Sequence, residues 1–360
     1  MVNIVPIPKI ILSSNVQSVF IKTDLEVVNV KILSNGQAIF ENSFYPYNKT
    51  VAINNVNSIL EAELKALDSA LGDFKIIAYG SRLAVDDPNY SVIEFSCIFC
   101  NKIHLGYDNA FLQNFFLTSA NARRIADDKV IFLNWIAQDN ESLMYYIHCD
   151  FYSKGIRKQH SFVEKESAVA NGFILTNLYV SVENIIAKLN DIYEQVNLMC
   201  FSVQCGKRQA SFFIDNSLKK ELLFYFKNEF NVVDSFNFHA QVTKKTICDA
   251  ELASLGLKSA KYDVNNSVEY EVNSAYLLSD EWAVAESMLL SDDVRQMAWD
   301  WDADFDAMNK IVISKSTIEN VDNNEKPNQV KFTFQQEINK PAFAFDRQRV
   351  FNNVYNITFR

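Results

Sequence analysis

The sequence predicts an α+β, β-dominated fold of tandem β-sandwich-like modules, each with one packed amphipathic helix. Three observations carry it: two-residue apolar alternation over many segments, isolated helical stripes between them, and a strand–helix–strand order that recurs about 125 residues along the chain. Its 360 residues exceed the usual single-domain size, and a hydrophobic fraction of 49% with 28 Phe and 15 Tyr is enough to fill several cores.

The first module is assigned to residues 1–130. Val19, Ile21 and Thr23 share one face of a strand, and Val27 to Leu33 runs through Ser34-Asn35-Gly36 into Gln37 to Glu41, a hairpin marked by its Asn-Gly pair. Val51-Ala52-Ile53 is followed by a helix over 57–71, with Ile59, Leu60, Leu64 and Leu67 at helical spacing, Asn57 as N-cap and Gly72 as its stop. Phe74 to Gly80 returns as a strand. In the second module, 131–225, Leu143 to Tyr152 and Ile174 to Val182 read as strands. A helix over 183–196 then carries Ile185, Ile186, Leu189, Ile192 and Tyr193, and Leu198 to Val203 returns towards Gly206. Allowing a one-residue slip, Ile59-Leu60 with Leu64 thus corresponds to Ile185-Ile186 with Leu189, and Gly80 to Gly206. The third module, 226–360, has strands at Phe236 to Val242, Val264 to Tyr276, Lys310 to Ser314 and Val330 to Phe334, with a helix over 280–290 carrying Trp282, Ala285, Met288 and Leu289.

Several chemistries are excluded or weakened by the residues. A net charge of -10 supplies no field for a nucleic-acid backbone, so no direct nucleic-acid contact is expected. The eight glycines approach no closer than Gly72 and Gly80, so neither dinucleotide nor phosphate-cradling glycine loops can form. His104, His148, His160 and His239 are dispersed; His239 falls on the Asn237 face of its strand, as a surface or edge residue. Cys97-Ile98-Phe99-Cys100 before His104 has the spacing of a zinc half-site, but it lies in a strand, where residues three apart face opposite ways, and no second half-site follows. The cysteines are read as reduced, buried thiols. No basic region opens the chain and no apolar run approaches the length of a spanning helix, so neither an export signal nor membrane insertion is expected.

Two features could bind something. Asp300, Asp302, Asp304 and Asp306 alternate with Trp301, Ala303 and Phe305; a calcium loop starting at Asp300 would need Gly and Glu where Phe305 and Ile311 stand. The run therefore reads as an edge strand with carboxylates outward, and these four are weak metal candidates, for a cation or a metal-assisted hydrolase. Trp299 and Trp301 beside it could stack on sugars, as in a glycan or cell-surface binding module, whereas Trp282 sits on a core-facing helix. No catalytic residue and no cofactor is expected.

Three stretches carry a resemblance: the opening order from Asn29-Val30-Lys31-Ile32 to Phe40 and through Val51-Ala52-Ile53 to Ile59-Leu60; the aromatic joint Phe226 to Phe238; and Leu278-Ser279-Asp280-Glu281-Trp282 through Leu289 to Val294. On these the chain resembles structural proteins from tail regions of phages and prophages of gut Bacteroidetes. The resemblance implies a virion structural protein, a subunit of a tail, baseplate or connector, made and assembled in the host cytoplasm. It also implies partners that are copies of itself in a ring and other virion proteins.

Overall fold

The computed structural model describes residues 1–80, 89–102, 109–138, 141–164, 172–255, 258–296, 308–319 and 329–336. The chain is β-dominated, with a few short helices between its strands.

In the first module the strands are β1 (Val2–Ile4), β2 (Ile10–Leu12), β3 (Ser18–Thr23), β4 (Val28–Ser34), β5 (Gln37–Phe44) and β6 (Thr50–Asn54). Helix α1 (Val56–Ala66), β7 (Leu71–Tyr79) and β8 (Tyr90–Ile98) complete it. They form two sheets, β1-β3-β6 and β2-β8-β7-β4-β5, whose facing residues make one core. Alternation decides which residues enter: Val28, Val30 and Ile32 of β4 and Val19 and Ile21 of β3 are buried while their neighbours face water. Val56, Leu60 and Leu64 of α1 are fully buried against them.

The helix ends earlier than its sequence stripe suggested. Asp68 takes a left-handed φ of 50°, and Ser69 N–H donates to the Leu64 carbonyl at 2.9 Å while Asp68 N–H donates to that of Lys65 at 3.0 Å, the double closure of a Schellman turn. Gly72 is therefore not the stop. It lies in β7, where a Cβ would stand 2.8 Å from Leu64 Cδ2, so glycine lets the strand pass close under the helix.

The second module repeats this plan, but it begins before residue 131, because the strand Ala122–Ile125 pairs with Arg208–Ile214, and it ends before Leu222, whose strand joins the C-terminal sheet. Its elements are α2 (Asn109–Asn114), β9 (Ala122–Ile125), β10 (Val130–Ala137), β11 (Tyr145–Ser153), β12 (Ile156–Glu164), β13 (Ile174–Ser181), α3 (Val182–Asn190), β14 (Val196–Cys205) and β15 (Arg208–Ile214). The antiparallel pair β10-β13 stands where β3-β6 stands in the first module, and the order β12-β11-β14-β15-β9 matches β5-β4-β7-β8-β2. Even the parallel edge pair recurs, β2 on β8 and β9 on β15. Val182, Ile185 and Leu189 of α3 occupy the places of Val56, Leu60 and Leu64, with the one-residue slip seen in the sequence. Ser181 caps α3 by accepting the Asn184 N–H at 3.3 Å. The helix ends at Asn190, so Ile192 is 54% exposed rather than on the buried stripe and Val196 opens β14.

The C-terminal unit is a single sheet of β16 (Leu222–Lys227), β17 (Val233–Phe238), β18 (Ala240–Leu255), β19 (Lys258–Ser274), β20 (Val294–Gln296), β21 (Asn309–Glu319) and β22 (Gln329–Gln336), with α4 (Ser279–Leu290) against it. The order is β17-β16-β20-β21-β22-β19-β18. Its two outer strands are successive in the chain, separated only by His239, so the sheet has to curl back on itself. Phe224 of β16 meets Phe332 and Phe334 of β22 edge-on, at 5.8 and 5.7 Å between centroids, across the interior so formed.

Equivalent helix positions should behave alike. Leu64→Ala and Leu189→Ala are each expected to lower unfolding stability by about 2–5 kcal/mol, and Ile192→Ala by no more than about 0.5 kcal/mol, in denaturant titrations.

Candidate functional site, a buried polar joint

A cluster of buried polar side chains lies where the modules meet the C-terminal unit. A strand sends successive side chains to opposite sides, and β9 uses this to place two arginines on two different partners. Arg123, 3% exposed, turns inward and donates from Nη1 to Asp234 Oδ1 at 2.6 Å and to the Ser235 carbonyl at 2.9 Å. Asp234 on β17 is 1% exposed, and its other oxygen accepts from Thr118 Oγ1 at 2.7 Å and from Asn228 Nδ2 at 3.4 Å. The Arg123 guanidinium also lies over the Phe212 ring at 5.5 Å, which offers its charge a second favourable surface. Arg124 clasps Glu281 of α4 in bidentate fashion, Nε to Oε1 at 2.8 Å and Nη2 to Oε2 at 2.7 Å. That carboxylate holds the Arg124 guanidinium above its ordinary value. Glu281, itself 1% exposed, accepts the Leu278 N–H at 2.9 Å and so fixes the start of α4 as well.

A cleft of ≈ 230 Å³ opens between the first module and the C-terminal unit. Three of its lysines reach across it: Lys65 to Asp292 at 2.5 Å, Lys102 to Glu286 at 3.2 Å, and Lys227 to Asp68. Glu229 lies beneath, 4% exposed, its Oε2 accepting from Ser119 Oγ at 2.8 Å and Ser287 Oγ at 2.5 Å. These three lysines are matched by carboxylates of the opposing unit, which gives the cleft the chemistry of a joint.

A third cluster surrounds His239. Its Nε2 stands 2.9 Å from Ser217 Oγ and its Nδ1 3.2 Å from Glu221 Oε1, the order of groups found in serine hydrolases. Here Ser217 O–H donates to Asp215, which also accepts the Ser217 N–H at 3.1 Å as the cap of a 3-10 turn over Asn216–Lys220. That bond holds the Asp215 carboxyl below its ordinary value. Glu221 accepts the Ala240 N–H at 3.3 Å, and Ala275 N–H donates to the His239 carbonyl at 2.8 Å. The cluster therefore clamps the root of β18 and β19.

Of the residues singled out by sequence, Trp299, Asp300, Trp301, Asp302, Asp304, Asp306 and His104 lie outside the described residues. Cys97 and Cys100 are buried in different apolar clusters, Cys97 in the sandwich core and Cys100 against Phe111 and Leu112. Burial pushes the Cys97 thiol up and that of Cys149 up to about 12. Among the described residues no three His, Cys, Asp or Glu side chains are grouped so as to hold a metal ion. Trp282 is half-buried on α4. His148 bonds Ser161 and Gln204, and His160 bonds the Tyr193 hydroxyl at 3.2 Å. No helix among the described residues is long and apolar enough to cross a membrane.

No family model matches this sequence, and no curated protein does. Among solved structures, the chain is similar to the full extracellular region of plexin A4, at 8% identity and a TM-score of 0.21 over 94% of this chain. It spans 40% of the length of that plexin chain. A TM-score so low carries no argument about fold or activity.

Removing one member of a buried ion pair strands the other. Asp234→Ala is expected to cost about 3–5 kcal/mol, whereas the double change Arg123→Met with Asp234→Leu recovers most of that loss; unfolding of both variants by denaturant checks it. A second outcome concerns Glu61 of α1, whose Oε1 accepts from Ser13 Oγ at 3.0 Å and whose carboxyl is raised above its ordinary value by burial. The folded chain holds that proton more tightly than the unfolded one, so the contribution is present below the ordinary carboxyl value and is lost as pH rises through the raised one. Glu61→Gln should therefore melt above wild type at pH 7, with the difference vanishing towards pH 4.

Proposed function

We propose that this chain is a structural subunit of a phage tail, baseplate or connector, acting by shape and docking beside copies of itself in a ring. One observation carries the reading: the hairpin β18–β19 runs far beyond the sheet that roots it. The strands are 16 and 17 residues long, and β22 pairs with β19 only over Tyr270–Asn273. Beyond that, the strands pair only with each other among the described residues. A two-stranded ribbon is marginal alone in water and gains from lying on another surface. The joint favours the same reading, because a subunit that works by shape needs its units held in one arrangement. Each sandwich also ends in a long strand that, among the described residues, is paired on one side only, β5 in the first and β12 in the second.

The chain is expected in stoichiometric amount in purified phage particles. Mass spectrometry of intact virions checks this, and its absence from those spectra overturns the reading.

A further inference from the structure

Among the described residues several strand edges have no partner on one side, and they differ in the charges they carry. On β18 the described, exposed segment Gln241–Ile247 has two charged residues, Lys244 and Lys245, while β5 has one, Glu41. Lys245 pairs with Glu271 at 2.5 Å and Glu41 with Lys31 at 2.8 Å, whereas Lys244 makes no ion pair among the described residues. The other sandwich edge, β12, brings Arg157 and Glu164, each in an ion pair, and Lys158, which makes none among the described residues. Like charges placed opposite one another disfavour strand pairing, and lysines on an edge block its pairing with itself. Of these three edges, sign sets β18, through Lys244, against a second β18 and against β12 with its Lys158, and leaves β5.

The shape of β5 agrees. A bulge between Ile32 and Leu33 in its pairing with β4 leaves Ile39 unopposed, and from Phe40 to Phe44 the ladder is regular. The chain then enters a tight turn in which Tyr47 and Thr50 exchange backbone hydrogen bonds at 2.9 and 3.0 Å around left-handed Asn48 and Lys49. Tyr45 and Tyr47 at this tip are each 81% exposed. Tyrosines supply large contact area at little cost in side-chain entropy, which is how binding surfaces use them. On the arm, Val242 and Ile247 are 40% and 39% exposed, apolar surface for such a tip to cover.

We infer that the β18 edge of one copy adds as a strand to the β5 edge of the next copy, with Lys244 facing the neighbourhood of Glu41. Because the two surfaces are different, the contact is heterologous: it propagates from copy to copy and closes into a ring or continues as a filament, and it does not stop at a two-fold dimer. This inference rests on the proposed assembly role and specifies the surfaces that carry it.

The full chain tests it in two measurements. In sedimentation across a concentration series, Lys244→Glu with Lys245→Glu, and separately Glu41→Lys, should each weaken self-association about tenfold or more, an energy in the range measured for close charge pairs across interfaces. A mixture of the two variants should associate through the restored opposite charges. In hydrogen exchange, amides of Phe40–Phe44 should gain protection as copies associate while those of Ile156–Glu164 do not. Association that persists unchanged in both variants, or protection that appears on β12 instead, overturns the strand addition and leaves the assembly role standing. Wild-type chain that stays monomeric at every concentration overturns both.

Discussion

A guanidinium and a carboxylate taken out of water together cannot be separated cheaply, and Arg123 with Asp234 form such a pair where the second module meets the C-terminal unit. Much else follows from its position. Arg123 belongs to β9, the edge strand parallel to β15, and Asp234 belongs to β17, an outer strand of the curled sheet. The pair thus binds the margin of one sheet to the margin of another. Its neighbours extend the contact: Asn134 Nδ2 donates to the Val233 carbonyl at 2.9 Å, and Asn237 Oδ1 accepts the Ala126 N–H at 3.3 Å. Because the adjacent Arg124 holds α4 through Glu281, a four-residue strand fixes both the sheet and the helix of the last unit.

The duplicated architecture was legible in the sequence because it is written in apolar periodicity, which burial enforces directly. Leu60 and Leu64, Ile185 and Leu189 hold their places for the same reason in both modules, and Gly80 and Gly206 both follow the returning strand. The aromatic joint Phe226 to Phe238 was legible as apolar, and it supplies Phe224's neighbours Phe236 and Phe238 to the C-terminal core. Helix ends were less legible: a stripe continues through Leu67 and Ile192 although the backbone turns at Asp68 and Asp191, because the turn depends on a left-handed residue or a returning strand, not on hydrophobicity. The joint was not legible at all. Arg123 and Asp234 are 111 residues apart, Ala122–Ile125 is short and has two charged residues out of four, and nothing in such a segment announces a buried strand. The Ser217, Glu221 and His239 cluster escaped notice for the same reason: tertiary approach, not spacing, brings it together.

A rigid joint and free edges complement one another physically. Strand edges unpaired in the monomer are a liability unless something covers or repels them, and this chain treats its edges differently, with lysines on β18, a bulge and a tyrosine tip on β5, and Arg157 and Lys158 on β12. The proposed assembly needs such a joint, because units that moved freely could not bring edges so differentiated to a neighbour in a fixed register. The clamp at His239 has the same effect locally, setting the direction in which the long hairpin leaves the sheet.

The proposed assembly through shape is examined most directly by electron cryo-microscopy of the concentrated full chain. It predicts closed rings or filaments of head-to-tail copies, with the hairpin of each lying on the first module of the next. Monodisperse single chains, or two-fold dimers that leave both hairpins free, would contradict it.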